Sequence, residues 1–166
     1  MTGAGRTTQQ AVRPATVSDY EAVVGLLQAA NLPLAGVPRA LAGFYVAEER
    51  GRILGAVGLE LYGTDGLLRS AVVDPAARGT GLGHALVRRL LGDARERGLG
   101  AVYLLTTTAE CWFPRFGFSR IERDDVPDQV RESVEFREAC PASAVVMRAE
   151  LSELLHRPND AAEGEP

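Results

Sequence analysis

The chain has 166 residues, 46% hydrophobic and 24% charged, which suits one globular domain and excludes disorder over most of its length. Eighteen basic and 22 acidic residues leave a net charge of −4, the wrong sign for a dedicated nucleic-acid binder, which needs a surplus of cations. Every basic residue is an arginine, so Schiff-base and phosphate-loop lysine chemistry is excluded, and any bound anion must be held by arginine or by backbone N–H groups.

Residues 1–10 (MTGAGRTTQQ) are small and polar and read as a disordered tail; the acidic end, 153–166, reads as a flexible one. The folded domain is expected over 11–152. Ala11–Ala15 is a short strand, and Ser18-x-x-Glu21 a capping box opening a helix with Val23, Leu26, Leu27 and Ala30 on one face. Residues 31–38 form a loop long enough to cover a site. Phe44–Glu48, Arg52–Tyr62 and Leu67–Val73 follow as strands joined by short turns, the signature of an antiparallel meander. After Asp74-Pro75 comes RGTGLG at 78–83, then a helix to about Arg97 with Leu82, Leu86, Leu90, Leu91 and Ala94 on one face. Ala101–Thr106 (AVYLLT) is apolar on both faces, as a covered strand must be. Thr107-x-x-Glu110 predicts a second capping box and a short helix over 108–116. A further helix is expected from Pro127 to about Glu138, and a last strand over Ser143–Arg148. These elements make a mixed α/β domain around one sheet.

Cys111 and Cys140 have no CxxC partner and are expected as buried thiols in a reducing cytosol. The longest uncharged run, Ala22 to Pro38, contains Gln28, Asn31 and two prolines, so it is no membrane span, and the start lacks the apolar core of a signal peptide. The expectation is a cytoplasmic protein with no nucleic-acid or membrane partner.

The chemical centre is the glycine-rich turn between a strand and a helix. Gly79, Gly81 and Gly83 let the backbone approach a ligand, the helix start presents unpaired N–H groups, and Arg78 adds a forked cationic donor. That is a pyrophosphate cradle without lysine. GTGLGH at 79–84 only approximates the dinucleotide fingerprint, because His84 stands where its third glycine belongs and a meander precedes it.

Arg78-x-x-Gly81-x-Gly83 after Val73-Asp74-Pro75 resembles the acyl-CoA motif of the GNAT superfamily of N-acetyltransferases, over about residues 11–149. VRPATVSDYEAV at 12–23 is similar to that superfamily's opening strand and helix, and Trp112-Phe113-x-Arg115-x-Gly117-Phe118 to its FYxxxGF element. LLTTTAECWFPRFGF at 104–118 resembles amino-acid N-acetyltransferases of the N-acetylglutamate-synthase type, and FREACPASAVVMR at 136–148 resembles small members associated with arsenic resistance. The resemblance implies the GNAT fold, acetyl-CoA as co-substrate, no metal, and a small-molecule amine as acceptor, with a homodimer among the assemblies it admits. Ala71, Val72 and Val73 would pair with the pantetheine arm, and Arg78, Gly79, Thr80, Gly81, Leu82, Gly83 and His84 would surround the pyrophosphate.

Many members carry a tyrosine where this chain has Phe113, which has no proton to give a leaving thiolate. Thr107, Thr108 or Ser70 is left for that role, or water, or the chain is a non-catalytic acyl-CoA binder. Glu60 and Glu110 are the candidate bases, with Glu110 also read as a helix cap. For the carboxylate of an amino-acid acceptor, Arg69 is the first choice and Arg115 the second. Cys140 beside Pro141 could hold a soft metalloid, but two thiols at unknown separation do not carry that reading. Asp124, Asp125 and Asp128 keep an aminoglycoside acceptor open, and protein N-termini are a further alternative.

Overall fold

The computed structural model describes residues 10–139 and 142–151. The expected tails therefore lie outside the described residues, Gln10 apart, as does Cys140. Seven strands form one sheet: β1 (Gln10–Pro14), β2 (Phe44–Glu49), β3 (Arg52–Tyr62), β4 (Asp65–Val73), β5 (Ala101–Thr106), β6 (Ser119–Ile121) and β7 (Val145–Glu150), in the order β1-β2-β3-β4-β5-β7-β6. Only the β4–β5 pair is parallel. Helix α1 (Tyr20–Ala29) covers one face and α2 (Leu82–Glu96) the other.

Strand alternation divides the core accordingly. Val46, Ala56 and Val72 pack with Val23 and Leu27 of α1, whereas Tyr45, Ala47, Val57 and Leu68 pack with Leu82, Leu86, Leu90 and Leu91 of α2. A third cluster lies on the β5–β7 half of the sheet, where Val126 and Val130 cover Leu67, Tyr103 and Val146. No helix among the described residues is long and apolar enough to cross a membrane.

Several local expectations are corrected. The capping box before α1 is Thr16–Asp19, not Ser18–Glu21: the Asp19 carboxylate accepts from the Thr16 N–H at 2.8 Å while Arg13 binds both of its oxygens at 2.8 and 3.0 Å. Glu110 does not cap its turn. The Thr106 hydroxyl accepts the Ala109 N–H instead, Glu110 lies 3.4 Å from Arg120, and the expected 108–116 helix shortens to a 3₁₀ turn at Phe113–Phe116. The helix expected over 127–138 breaks into α3 (Asp128–Arg131) and a π-turn at Glu135–Ala139. Ser133 ends α3, because its hydroxyl accepts the Phe136 N–H and offers the chain a local turn in place of helix. Cys111 is exposed rather than buried.

Two departures from regular strand geometry shape the site. Ala56 pairs with Val72 but Gly58 with Arg69, so Ser70 and Ala71 bulge opposite Val57, with Ser70 at φ +57°. The parallel β4–β5 ladder also stops at Leu67–Tyr103, although both strands continue.

Gly43 has φ +80°, and a Cβ there would lie 2.2 Å from the Leu59 carbonyl oxygen. Gly43→Ala should therefore cost roughly 2–5 kcal/mol, from left-handed backbone plus displaced packing. Gly92, in α2 with nothing within 4 Å of a built Cβ, should gain about 0.5–1 kcal/mol on replacement by alanine. Equilibrium denaturation of the two variants checks the contrast.

Arg13 also holds the Asp19 carboxyl below its ordinary pKa. A depressed carboxylate contributes stability above its unfolded pKa of about 4 and loses it as pH falls. Asp19→Asn should cost about 1–2 kcal/mol at pH 7, given that Arg13 is one-third exposed. The difference from wild type should close on acidification, measured by melts at stepped pH.

Candidate active site

Because β4 and β5 part after Leu67–Tyr103, the backbone of residues 68–73 presents one edge to a cleft instead of to a neighbouring strand. This cleft of about 470 Å³ is floored by Leu86, Val87 and Leu104 and walled by Leu68–Val73 and Thr106–Ala109. Trp112 and Gly83 stand at one end; Asn31, Leu32, Pro33, Arg69 and Glu135 stand at the other. An extended ligand with amide groups can pair with such an edge as an added strand would.

At the Trp112 end the cleft meets a second hollow of about 270 Å³ lined by Arg78, Gly79, Gly81, Leu82, Gly83, His84 and Trp112. Gly79 and Gly81 have φ of +79° and +86°, and the latter caps α2. The N–H groups that open α2 have no carbonyl one turn earlier to receive them, and the helix dipole adds partial positive charge. The Thr80 hydroxyl donates to the Ala77 carbonyl and braces the turn. Arg78 is exposed at the rim, and the half-buried His84 ring lies 4.9 Å from that of Phe116. Anion cradle and open strand edge are thus continuous, and these residues fit an acyl-CoA: diphosphate on the loop, amide-bearing arm along 71–73, apolar floor beneath.

The other end is organised by Arg69. Its side chain is wholly buried. Nη2 donates to the Ala35 carbonyl at 2.7 Å and lies 3.2 Å from Glu135. Nε donates to Ser70 Oγ at 3.0 Å, and Nη1 lies 3.8 Å from Glu60. Arg69, expected to clamp a substrate carboxylate, lines the cleft with Nε and Nη2 engaged by protein groups and Nη1 without a hydrogen-bond partner. Glu60 stands behind Arg69 rather than in the cleft wall. Burial raises its pKa above the ordinary carboxylate value, opposed by Arg69 and a Tyr62 hydrogen bond and reinforced by Glu135. Ser70 and Thr107 both line the cleft, Thr107 exposed and Ser70 half-buried. Arg115 is not among the lining residues: its guanidinium lies over the Trp112 ring, 5.4 Å from its centre, and donates to the Trp112 carbonyl. Asp124, Asp125 and Asp128 are exposed away from the cleft, and Asp128 pairs with Arg131 at 2.6 Å.

Sequence reasoning overlooked two site residues. Trp112 is shared by both hollows, its ring 5.0 Å from Phe113 and 4.9 Å from Phe116. Its place within the aromatic element was the available signal. Glu135 comes from the π-turn, and nothing local to its sequence marks it.

Known proteins share this fold. Residues 40–120 match the family model for the acetyltransferase (GNAT) domain. An amino-acid acetyltransferase of Mycobacterium tuberculosis is 36% identical over 140 residues, spanning 78% of this chain and 80% of that protein. Rv2747 of M. tuberculosis, solved with CoA, superposes with a TM-score of 0.73 at 29% identity over 84% of this chain and 98% of its own. The N-acetylglutamate synthase of Neisseria gonorrhoeae, solved with coenzyme A and N-acetyl-glutamate, shares the fold (TM-score 0.74, 21% identity, 86% of this chain and 35% of that one). This chain belongs to the GNAT acetyltransferase family. It is an acetyl-CoA-dependent acyltransferase.

On the expectation that Arg78 holds the diphosphate, Arg78→Ala would remove a charge-assisted contact worth about 1.5–3 kcal/mol, so CoA affinity should fall roughly ten- to hundredfold with the thermal midpoint nearly unchanged. Gly81→Val, at φ +86°, should weaken CoA binding at least as much. Calorimetric titration of CoA into both variants decides; wild-type affinity in Arg78→Ala would place the diphosphate elsewhere.

Proposed function

We propose that this chain transfers the acetyl group of acetyl-CoA to the α-amine of a small amino acid or amino-acid-like compound. The observation that carries this reading is the cleft joining the glycine-rich loop, the open edge of β4 and an end lined by Asn31, Leu32, Pro33, Arg69 and Glu135. Its volume of about 470 Å³ suits an acyl arm and a small acceptor better than a peptide. The likeness to an amino-acid acetyltransferase over most of that protein's length supports the same class.

The thioester supplies an activated acyl carbon. The acceptor arrives largely as an ammonium at neutral pH, its pKa being about 8. Glu60, beside the cleft-lining Arg69 and 23% exposed, takes one proton from it through a water reaching past that arginine, a task suited to a carboxylate whose burial raises its proton affinity. The nitrogen then bonds to the acyl carbon and the carbon–sulfur bond breaks. Ser70 gives the thiolate its proton and recovers one from the acetylated nitrogen. Arg69 Nε donates to Ser70 Oγ, which turns the serine's own proton away from Arg69 and toward the cleft. Phe113 is buried against Phe118 and Trp112 and serves as packing. Thr107 offers a second hydroxyl on the opposite wall.

A narrower acceptor, an organoarsenical analogue of glutamate, rests on the 136–148 likeness alone. A CoA-release screen over amino acids, arsenical and phosphinic analogues, aminoglycosides and N-terminal peptides tests both levels. Amino acids should lead, and Glu60→Gln should lower kcat/KM by about 10²–10⁴. Preference for aminoglycosides or peptides would overturn the substrate class. Ser70→Ala losing more rate than Thr107→Val would support the serine as proton donor.

A further inference from the structure

Arg69 faces two carboxylates, and the structure treats them unequally. Toward Glu135 the contact is 3.2 Å; toward Glu60 it is 3.8 Å, beyond a hydrogen bond. Arg69 Nη1 and Glu60 Oε1 are both buried without a hydrogen-bond partner. Two complementary charged groups thus stand side by side, Arg69 wholly buried and Glu60 23% exposed, without closing the contact between them. The rest of the guanidinium explains why. Its Nη2 is held by the Ala35 carbonyl and Glu135, and its Nε by Ser70. The loop backbone fills the space on the other side: a Cβ built on Gly36 would lie 2.8 Å from Nη1 and 3.3 Å from Val134 Cβ.

We propose that Glu135 is a positioning residue for acetyl transfer: by holding Arg69 toward the π-turn it keeps the guanidinium from closing on Glu60, and leaves Glu60 able to accept the amine's proton. This rests on the reading of Glu60 as base. A carboxylate in a closed ion pair with arginine is a weak base, because the pair stabilises its charged form. One held just out of contact keeps its basicity and is still oriented. The groups that face Glu60 are Arg69 from β4, Glu135 from the π-turn and the Tyr62 hydroxyl from its own strand, with Ser133 in turn bonded to Tyr62. Removing the Glu135 charge frees Arg69 for Glu60 and withdraws a negative neighbour, and both changes favour ionised Glu60.

The test is the pH profile of kcat/KM for wild type, Glu135→Gln and Glu60→Gln, with CoA binding measured by calorimetry for each. Glu135→Gln should bind CoA normally, move the acidic limb down by at least about half a pH unit and lower the plateau roughly three- to thirtyfold. An unmoved limb in Glu135→Gln, with the limb abolished in Glu60→Gln, would overturn the role of Glu135 and keep Glu60 as base. A wild-type limb in Glu60→Gln would instead remove the base assignment on which the proposal stands. A Glu135→Gln protein that no longer binds CoA would also overturn it, since the carboxylate would then be needed for the fold.

Discussion

The site depends on the parting of two parallel strands. β4 and β5 hold a ladder from Asp65 to Leu67 and from Ala101 to Tyr103 and then diverge, so the polar edge of β4 beyond Leu67 has no strand to satisfy it. Unpaired buried backbone groups are costly, and a sheet that leaves them open needs a partner of the same chemistry. An amide-bearing arm is such a partner. The floor of the gap comes from α2, whose apolar face supplies Leu86 and Val87. The same helix delivers its N-terminus at the mouth of the gap, so one element provides both apolar support and N–H groups suited to an anion.

The bulge at Ser70 is the second constraint. It turns the strand at the acceptor end of the cleft and sets Ser70 Oγ 3.0 Å from Arg69 Nε, while Arg69 remains on the face shared with Glu60. The buried guanidinium then gathers β3, the 31–41 loop, β4 and the π-turn around one charge. A buried arginine facing two acids is a costly arrangement unless its donors are well placed. Here Nε and Nη2 are placed and Nη1 is not, which concentrates the imbalance beside Glu60.

Much of this was legible in the chain. The strands β2 to β5 show in turn residues and alternation, α2 in its apolar stripe, and the cradle in three glycines at alternate positions after Arg78. Local patterns failed where two local solutions compete. Ser18 and Thr16 both qualify as caps, and the choice falls to Asp19 because Arg13, from the preceding strand, grips it. Thr106 and Thr107 compete likewise, and the strand's last residue wins. The break near Ser133 lies in a stretch whose spacing suits a continuous helix, and there the Ser133 hydroxyl accepts the Phe136 N–H. The burial of Arg69 could not be read from its neighbours, because its partners at Ala35, Glu60 and Glu135 are remote in sequence.

The contact between Arg69 and Ala35 is made through a carbonyl oxygen, not a side chain. Family members that inherit this anchor are free to vary the residue at position 35, since every amino acid carries that oxygen. They are not free to vary the number of residues between α1 and β2, because an insertion or deletion near Gly36 would slide a different carbonyl over the guanidinium. Divergence in this loop should therefore appear as substitution at constant length, and a graft from a relative with a longer loop would need to bring its own arginine partners with it.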